Sequence, residues 1–225
     1  MRAPVSVIIP TLNAEKHLPG CLLSLFEGME AGVIRDVIVV DGGSVDQTCR
    51  IAQEAGATVV DTAPSRGGQI ATGQAHAHGD WVMVLHADTQ LSEGWSAVAA
   101  EHLSTPKAGY FRLSFEQGGM MGRWVAGWAN WRARAFDLPY GDQGMLLPRS
   151  LLENVGGYPD MPLMEDVALA QLLKGKLIAL DAVAVTSPEK YQSQGWLRRS
   201  GKNLWTLARY FFGVSPQSLA QSYRR

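Results

Sequence analysis

The sequence predicts an α/β fold in which a mostly parallel sheet is flanked by helices. Short apolar runs recur through the first half of the 225-residue chain. They are rich in β-branched residues, as strands buried on both faces usually are. The segments between the runs have the length and apolar spacing of helices. This alternation of strand and helix favours parallel strands joined by right-handed crossovers.

The predicted elements of the first half follow one another without a long linker. The strands are predicted at 5–9, 36–40, 57–61 and 81–85, and the helices near 15–30, 45–55 and 66–78. Ser44 and Gln47 have the spacing of a capping box for the second helix. Gly56 stands where a glycine commonly ends a helix.

The second half has a different pattern. Residues 108–116 alternate in polarity, which is typical of a strand with one face in water. A tryptophan-rich helix over 120–136, a strand near 143–148, a helix near 163–174 and a strand over 178–185 follow. From Gln194 to Gly213 the chain is basic, aromatic and helical. We therefore predict an α/β domain over residues 1–190 and a helical extension over 191–225 that packs on it.

Composition narrows the function classes. The chain is 46% hydrophobic and 18% charged, which suits a sizeable core. A net charge of −1 gives no reason to expect a nucleic-acid partner. Cys21 and Cys49 lack metal-ligand spacing and are typical of reduced thiols. With no secretion signal and no run of about 20 apolar residues, we expect a cytoplasmic protein.

Polar loops follow three of the predicted strands, at residues 10–13, 41–44 and 86–88. Each loop alone is typical of a surface turn. Ligands of open parallel sheets bind outside the carboxyl ends of the strands, so the three loops together predict a site. Glycine-rich phosphate-binding motifs are absent from the sequence. We therefore expect phosphate to bind through Mg²⁺ or Mn²⁺, with Asp88 as a metal ligand.

Further carboxylates lie at Asp142 and at the pair Glu165-Asp166, which opens a predicted helix. Acidic residues at that position commonly complement the positive end of the helix. Beside a metal site, such a carboxylate can also act as a general base.

Four motifs together resemble those of the inverting glycosyltransferases of family 2, which have the GT-A fold. They are PTLNAE (10–15), DGGSVDQT (41–48), LHADT (85–89) and MED (164–166), and they match in order and spacing over roughly residues 4–175. The resemblance implies a Rossmann-like sheet. LHADT, YGDQG and PLMED also resemble a bacterial subgroup often labelled arsenosugar-type glycosyltransferases.

The resemblance implies roles for individual residues. The D-x-D motif of the family corresponds to His86-Ala87-Asp88. Asp88 keeps the metal-binding position of that motif, and His86 replaces the Asp that often contacts ribose. Asp166 corresponds to the catalytic base, with Glu165 beside it. Asp142 and Gln143 are candidates for contact with the acceptor or the donor sugar. The residues implied to bind the nucleotide sugar are Pro10, Thr11, Asn13, Glu15, Asp41, Gly43, Arg66, Gly67, His86 and Asp88.

The implied reaction is a single displacement from a nucleotide-diphosphate sugar, with UDP favoured over GDP, to an unidentified hydroxyl acceptor. A sugar-phosphate nucleotidyltransferase is the main alternative. It needs a glycine-rich loop with Arg and Lys after the first strand, and residues 10–18 contain only Lys16 and no glycine. A non-catalytic nucleotide-sugar binder is a second alternative, which His86 favours and the presence of Asp88 and Asp166 opposes.

Two surfaces leave alternatives open. Trp124, Trp128 and Trp131 share a helix face flanked by Arg123, Arg132 and Arg134. We expect this face to pack in the core, with a sugar-stacking wall or a homodimer face as the alternative. We expect the basic, aromatic segment 196–210 to pack on the fold. The alternative is a peripheral contact with the inner face of an anionic membrane.

Overall fold

The computed structural model describes residues 2–224 and contains an eight-stranded sheet with helices on both faces. The strands are β1 (Val5–Thr11), β2 (Ile34–Asp41), β3 (Thr58–Asp61), β4 (Trp81–Val84), β5 (Thr89–Leu91), β6 (Ala108–Phe115), β7 (Met145–Pro148) and β8 (Leu177–Thr186). The longer helices are α1 (Leu18–Ser24), α2 (Phe26–Glu30), α3 (Thr48–Glu54), α4 (Arg66–His76), α5 (Trp95–His102), α6 (Gly119–Phe136), α7 (Arg149–Asn154), α8 (Glu165–Leu172), α9 (Glu189–Gln194), α10 (Trp196–Phe211) and α11 (Pro216–Arg224).

The strand order is β3-β2-β1-β4-β7-β6-β8-β5. Strands β1 to β4 pair in parallel, and β6 also pairs in parallel with β8. The pairs β4–β7, β6–β7 and β5–β8 are antiparallel. The predicted α/β fold with a mostly parallel sheet flanked by helices and a helical C-terminal extension is confirmed.

Both faces of the central strands are buried, which explains their nearly continuous apolar sequences. Val7 and Ile9 of β1 belong to one core, under α1, α3 and α5. Ile8 points the other way and packs with Ile70 of α4 and Leu169 of α8. The carboxyl ends of β1, β2 and β4 consequently meet at one edge of the sheet, where the polar loops begin.

Several boundaries differ from the predictions for local reasons. The predicted capping box of Ser44 and Gln47 is wrong, because the side chain of Ser44 donates a hydrogen bond to Asp41 and the helix begins only at Thr48. The carboxylate of Asp46 accepts the amide N–H of Thr48 instead, at 3.0 Å. Strand β5 and helix α5 were not predicted, since three strand residues are too few to establish a period.

The expectation that the tryptophan face packs in the core is wrong. Trp124 is 61% exposed and Trp131 is 55% exposed. Helix α6 instead packs through its small residues Ala126 and Ala129, next to Phe115 of β6. Small side chains bring the helix close to the sheet and leave the large ones outside.

The C-terminal helices pack on the α/β fold through one face only. Leu207 of α10 and Leu219 of α11 join Leu163 and Val167 in a separate small core. The outer face of α10 leaves Leu204 and Trp205 more than half exposed. In the part of the chain that the structure describes, none of the helices is apolar enough over sufficient length to cross a membrane. The division into domains at residue 190 stays a prediction.

Gly67 tests how tightly α4 packs. A Cβ at this position would lie 2.1 Å from the carbonyl oxygen of Pro159 and 2.7 Å from the amide nitrogen of Met161. Both are backbone atoms that cannot rotate away. We expect Gly67→Ala to lower the free energy of unfolding by about 1–3 kcal/mol, measured by denaturant unfolding.

Gly127 provides the matched control for this substitution. It lies inside α6, and a Cβ there would meet no atom within 4 Å. Gly127→Ala should therefore raise the free energy of unfolding by roughly 0.5–1 kcal/mol. Equal stability of the two variants would contradict the close packing of Gly67.

Candidate active site

A cleft of about 690 Å³ opens where the central strands end. It runs from the loop after β1 to the C-terminal helices. Eight of the predicted site residues line it: Pro10, Thr11, Asn13, Arg66, His86, Asp88, Asp142 and Asp166. The other six are not among the residues that line it: Glu15, Asp41, Gly43, Gly67, Gln143 and Glu165. The polar strand ends therefore open onto one cleft, and their role as a binding site stays a prediction.

Asp41 organises the loop after β2. Its Oδ1 accepts hydrogen bonds from the hydroxyls of Thr11, at 2.9 Å, and Ser44, at 2.5 Å, and its Oδ2 accepts from the amides of Gly43 and Ser44. Burial alone would raise the pKa of Asp41, but these hydrogen bonds outweigh it and lower the pKa. Gly43 adopts φ +94°, which the tight turn requires. Asp41 therefore shapes the site from behind its wall.

Asn13 and Glu15 join the first loop to the second. The side-chain oxygen of Asn13 accepts the amide N–H of Val45 at 3.0 Å, and Glu15 accepts that of Gln47 at 3.0 Å. Asn13 holds φ +51°, a left-handed conformation. Both side chains thus hold the neighbouring loop, and Asn13 also lines the cleft.

Gln69 is a cleft residue that the sequence analysis missed. Its amide group donates to the carbonyl oxygens of Thr11 and Val40, each at 2.8 Å, so it ties α4 to the ends of β1 and β2. A glutamine inside a helix has no local signal that marks it as part of a site. Gly67, by contrast, does not line the cleft and packs against residues 159–161.

His86 lies in the cleft wall next to the turn at Gly141. Desolvation lowers the pKa of His86 to about 4, and the positive charge of Arg66 acts in the same direction. The imidazole is therefore neutral near pH 7 and offers one donor and one acceptor. A Cβ on Gly141 would lie 2.5 Å from Nε2 of His86, so only glycine allows this turn to come so close.

Asp88 forms an ion pair with Lys190, with 3.3 Å between Oδ2 and Nζ. Burial would raise the pKa of Asp88, but the ion pair with Lys190 and the positive charge of Arg66 lower it. The carboxylate is therefore ionised. Lys190 lies in α9, the helix after β8, and is far from Asp88 in the sequence. Its position beside Asp88 is set by the tertiary fold and was not predicted.

The residues around Asp88 fit a hard divalent ion that takes few of its ligands from the protein. Mg²⁺ commonly uses one or two protein carboxylates and completes its shell with water and substrate phosphate. Asp88 supplies one such carboxylate on the cleft surface. A second acidic cluster, formed by Asp41, Cys49 and Asp61, fits less well. Mg²⁺ and Mn²⁺ prefer oxygen to thiol ligands, and the carboxylate of Asp41 already accepts four hydrogen bonds.

The two acidic residues that open α8 face different surroundings. Asp166 lines the cleft, where its Oδ2 accepts the amide N–H of Gly141 at 2.7 Å. Glu165 is 1% exposed and pairs with Arg66 at 3.4 Å behind the wall. The turn before them places Met164 at φ +69°, an uncommon conformation for a non-glycine residue. Of the two, only Asp166 lines the cleft.

Asp142 and Gln143 also separate. The Gln143 side chain is fully buried and donates to the carbonyl oxygen of Phe111 at 3.2 Å, so it supports the turn rather than the cleft surface. Asp142 lines the cleft, and burial raises its pKa to about 6. Among the described residues, its Oδ1 atom has no hydrogen-bond partner.

Comparisons with known proteins fit this geometry. The model of the glycosyl transferase family 2 matches residues 6–144. The chain is 40% identical over 73 residues to 4,4'-diaponeurosporenoate glycosyltransferase of Staphylococcus aureus, covering 32% of this chain and 18% of that protein. It spans less than a third of the length of the curated relatives that it matches first, at 28% and 18%.

Solved structures show the same fold at low sequence identity. The mannosyltransferase PcManGT from Pyrobaculum calidifontis, in complex with GDP-Man and Mn²⁺, has a TM-score of 0.69 and 21% identity, covering 96% of this chain and 67% of that one. S. aureus TarS 1–349 in complex with UDP has a TM-score of 0.63 and 20% identity, covering 84% and 62%. The GT-A fold that the resemblance implied is thereby shown.

Glu165 gives the site a testable pH dependence. Burial raises its pKa to about 7, although Arg66 opposes the shift. The folded protein then binds more protons than the unfolded chain between about pH 4.5 and 7, so this residue lowers stability as the pH rises through that range. Glu165→Gln removes the effect. We expect the unfolding free energy of the variant, relative to that of the native protein, to increase between pH 5 and pH 7.5.

Denaturant unfolding at the two pH values measures this difference. Glu153→Gln is the control, because Glu153 is an exposed residue of α7 that pairs with Arg149. Its relative stability should change little over the same interval. A relative stability of Glu165→Gln that decreases with pH would mean that Arg66, rather than burial, dominates the pKa.

Proposed function

The chain belongs to glycosyl transferase family 2, and from that premise we propose that it transfers a sugar from a nucleotide-diphosphate sugar to a hydroxyl acceptor. One observation carries the proposal. The strand-end loops, Asp88 and Asp166 all face a single cleft of about 690 Å³, a volume within the usual range of ligand sites. The proposed class is an inverting hexosyltransferase. The likeness to the arsenosugar-type subgroup stays a prediction.

The donor occupies the side of the cleft formed by the ends of β1 and β4. Thr11, Asn13 and Arg66 line it there. We favour a UDP-sugar over a GDP-sugar. TarS has been solved with UDP and PcManGT with GDP-Man, so the fold accommodates either base. Arg66 is held by Glu165 at 3.4 Å, which orients its positive charge toward the diphosphate.

Asp88 would hold Mg²⁺ or Mn²⁺ together with the donor diphosphate. When bound, such an ion supplies Lewis-acid stabilisation of the charge on the departing nucleoside diphosphate. Arg66 and Lys190 add positive charge to the same part of the cleft. His86, as a neutral imidazole, donates a hydrogen bond to a ribose or sugar hydroxyl or accepts one from it.

Asp166 is the proposed general base. Its Oδ2 accepts the Gly141 amide and its Oδ1 accepts the amide of Val167, each at 2.7 Å, so the carboxylate is fixed in orientation. A fixed carboxylate can accept the proton of the acceptor hydroxyl as that hydroxyl attacks the anomeric carbon. Attack from the face opposite the leaving diphosphate inverts the configuration. Asp142, on the same cleft, is proposed to contact the acceptor or the transferred sugar.

Asp166→Asn should separate binding from chemistry. The amide has the shape of the carboxylate but cannot take a proton, and its NH2 group cannot accept one of the two backbone hydrogen bonds that hold Asp166. We expect turnover to fall by about 10²–10⁴-fold. The measurement is release of nucleoside diphosphate from UDP- and GDP-sugars, with water or added alcohols as acceptors. UDP affinity, measured by calorimetry with Mn²⁺, should stay within a few-fold of the native value.

Two further variants complete the test. Asp181→Asn changes a side chain that is 90% exposed and lies on β8 outside the cleft, so it should leave both quantities unchanged. Asp88→Ala should weaken UDP binding in Mn²⁺ and have a smaller effect without the metal. Undiminished turnover in Asp166→Asn would reject the base assignment. UDP and GDP binding with no turnover in the native protein would favour a non-catalytic binder.

We also propose that the protein contacts an anionic membrane surface through α6 and α10. Leu197, Leu204 and Phe211 recur every seven residues on the outer face of α10, and all are more than half exposed. Trp128 and Phe136 of α6 share a groove of about 500 Å³ with Phe211. Exposed aromatic residues of the two helices therefore border one groove, in which apolar side chains lie beside charged ones such as Arg132 and Lys174.

Charge favours a lipid surface as the occupant. Residues 190–225 contain none of the chain's 21 acidic residues but seven of its 20 basic residues. Lys190 and Arg199 line the cleft, and the other five are Arg198, Lys202, Arg209, Arg224 and Arg225. Helix α6 adds Arg123 and Arg134, besides the buried Arg132, and no acidic residue. Two such surfaces would repel each other in a dimer, whereas anionic lipid attracts them. A cytoplasmic location on the inner face of the membrane belongs to this proposal.

Vesicle sedimentation tests the membrane contact. We expect the native protein to bind vesicles that contain phosphatidylglycerol, and to bind phosphatidylcholine vesicles weakly, with salt reducing the difference. Leu204→Ser should weaken binding roughly five- to tenfold because it removes apolar area at the contact.

Leu23→Ser is the matched control, since Leu23 is 70% exposed on α1, away from this surface. It should bind vesicles as the native protein does. Equal losses in the two variants would contradict the proposed face. Absence of vesicle binding together with a concentration-dependent dimer would assign the surface to a second copy of the chain.

A further inference from the structure

The end of the cleft beside the C-terminal helices has no role in the donor chemistry above. It is lined by Tyr191 of α9, Arg199 and Asn203 of α10, and Tyr223 of α11. These helices pack at the end of β6, where Phe115 contacts Tyr191 edge to face. The nucleotide loops follow β1 and β2, and two strands separate β1 from β6 in the sheet.

Arg199 is a buried cation that forms no ion pair with the residues that the structure describes. It is only 8% exposed. One guanidinium nitrogen donates to the side chain of Gln194 at 3.1 Å, another donates to the hydroxyl of Tyr223, and the group stacks on the Tyr223 ring. Within residues 2–224, Nε has no hydrogen-bond partner and the guanidinium makes no ion pair. Burial of an uncompensated charge is costly, so a missing counterion is expected at this point.

The other cations of the cleft differ in this respect. Arg66 has Glu165 and Lys190 has Asp88. Arg132 is a second buried arginine without an ion pair, but it stacks on Tyr140 and borders the groove between α6 and α10, outside this cleft. Arg199 is thus the buried cation of the cleft whose charge the described residues leave unmatched.

The neighbours of Arg199 form a fixed polar frame. Tyr223 donates to Asn203 at 2.8 Å, and Asn203 donates to Tyr191 at 3.1 Å. These hydrogen bonds hold three side chains around the guanidinium and leave Nε unused. A planar guanidinium in a fixed frame is suited to bidentate contact with a carboxylate or a phosphate.

We infer that Arg199 binds an anionic group of the acceptor, so that the enzyme uses an acceptor that carries a phosphate or a carboxylate near its attacking hydroxyl. The inference rests on the proposed function. The donor diphosphate is the other anion in such a reaction, but the two positive charges of a divalent metal on Asp88 would match its charge. The position of Arg199 near β6 leaves it for the second substrate.

Calorimetric titration of inorganic phosphate, and separately of acetate, into the UDP-saturated protein tests the inference. With UDP bound, the diphosphate position is filled and the remaining anion site is measured. We expect Arg199→Met to weaken binding of the preferred anion by about 10- to 100-fold. Arg199→Lys, which keeps the charge, should retain binding within about tenfold. The UDP affinity of both variants should match that of the native protein.

Arg198→Met is the matched control, since Arg198 is the exposed neighbour of Arg199 on the same helix. It removes the same charge and should leave anion binding unchanged. Thermal unfolding of each variant checks that α10 stays folded. Anion binding that is equal in Arg198→Met and Arg199→Met, or absent from the native protein, overturns the inference.

The UDP titration separates the two proposals. If Arg199→Met loses UDP affinity and keeps anion binding, Arg199 serves the donor, and the acceptor inference is wrong while the proposed function stands. If the native protein binds neither UDP nor GDP, the proposed function fails. The same anion titration in nucleotide-free protein then still shows whether Arg199 forms an anion site.

Discussion

The close approach of Gly141 to His86 and Asp166 is the contact on which the site depends. Its backbone amide donates to Asp166 at 2.7 Å, while a side chain at this position would collide with His86. The turn therefore joins the end of β4 to the start of α8, two segments far apart in the chain. Without that contact, the residues proposed for metal binding and for proton transfer would have no common space.

A second long-range contact supports the same arrangement from behind. Arg66 opens α4 and Glu165 opens α8, and their ion pair lies against the backbone contact between Gly67 and residues 159–161. This explains why two adjacent acidic residues have different environments. Glu165 is used to hold a cation and a helix in place, and Asp166 is free to face a ligand. The distinction depends on which way each side chain leaves the first turn of α8.

The C-terminal helices connect the cleft to the outer surface. Their inner side carries Arg199 and Tyr223 into the cleft, and their outer side carries apolar and basic residues into solvent. An enzyme held at a membrane by this outer side would keep its acceptor end close to the lipid surface. The two proposals for this part of the chain are therefore compatible, because they use opposite faces of one helix.

The sequence by itself determined the sheet and its edge. Apolar periodicity is a local property, so β1, β2 and β4 could be located from their own residues, and parallel strands must end at the same side. Asp88 and Asp166 were selected through the resemblance of their motifs to family 2, and both line the cleft. Only the tertiary structure decided that Glu15, Asp41, Gly43, Gly67, Gln143 and Glu165 do not line the cleft. It alone placed Gln69, Lys190 and Arg199 on the cleft wall, and left the tryptophan face of α6 exposed. These outcomes depend on which distant backbone or charge a side chain meets, and that information is not present in the neighbouring sequence.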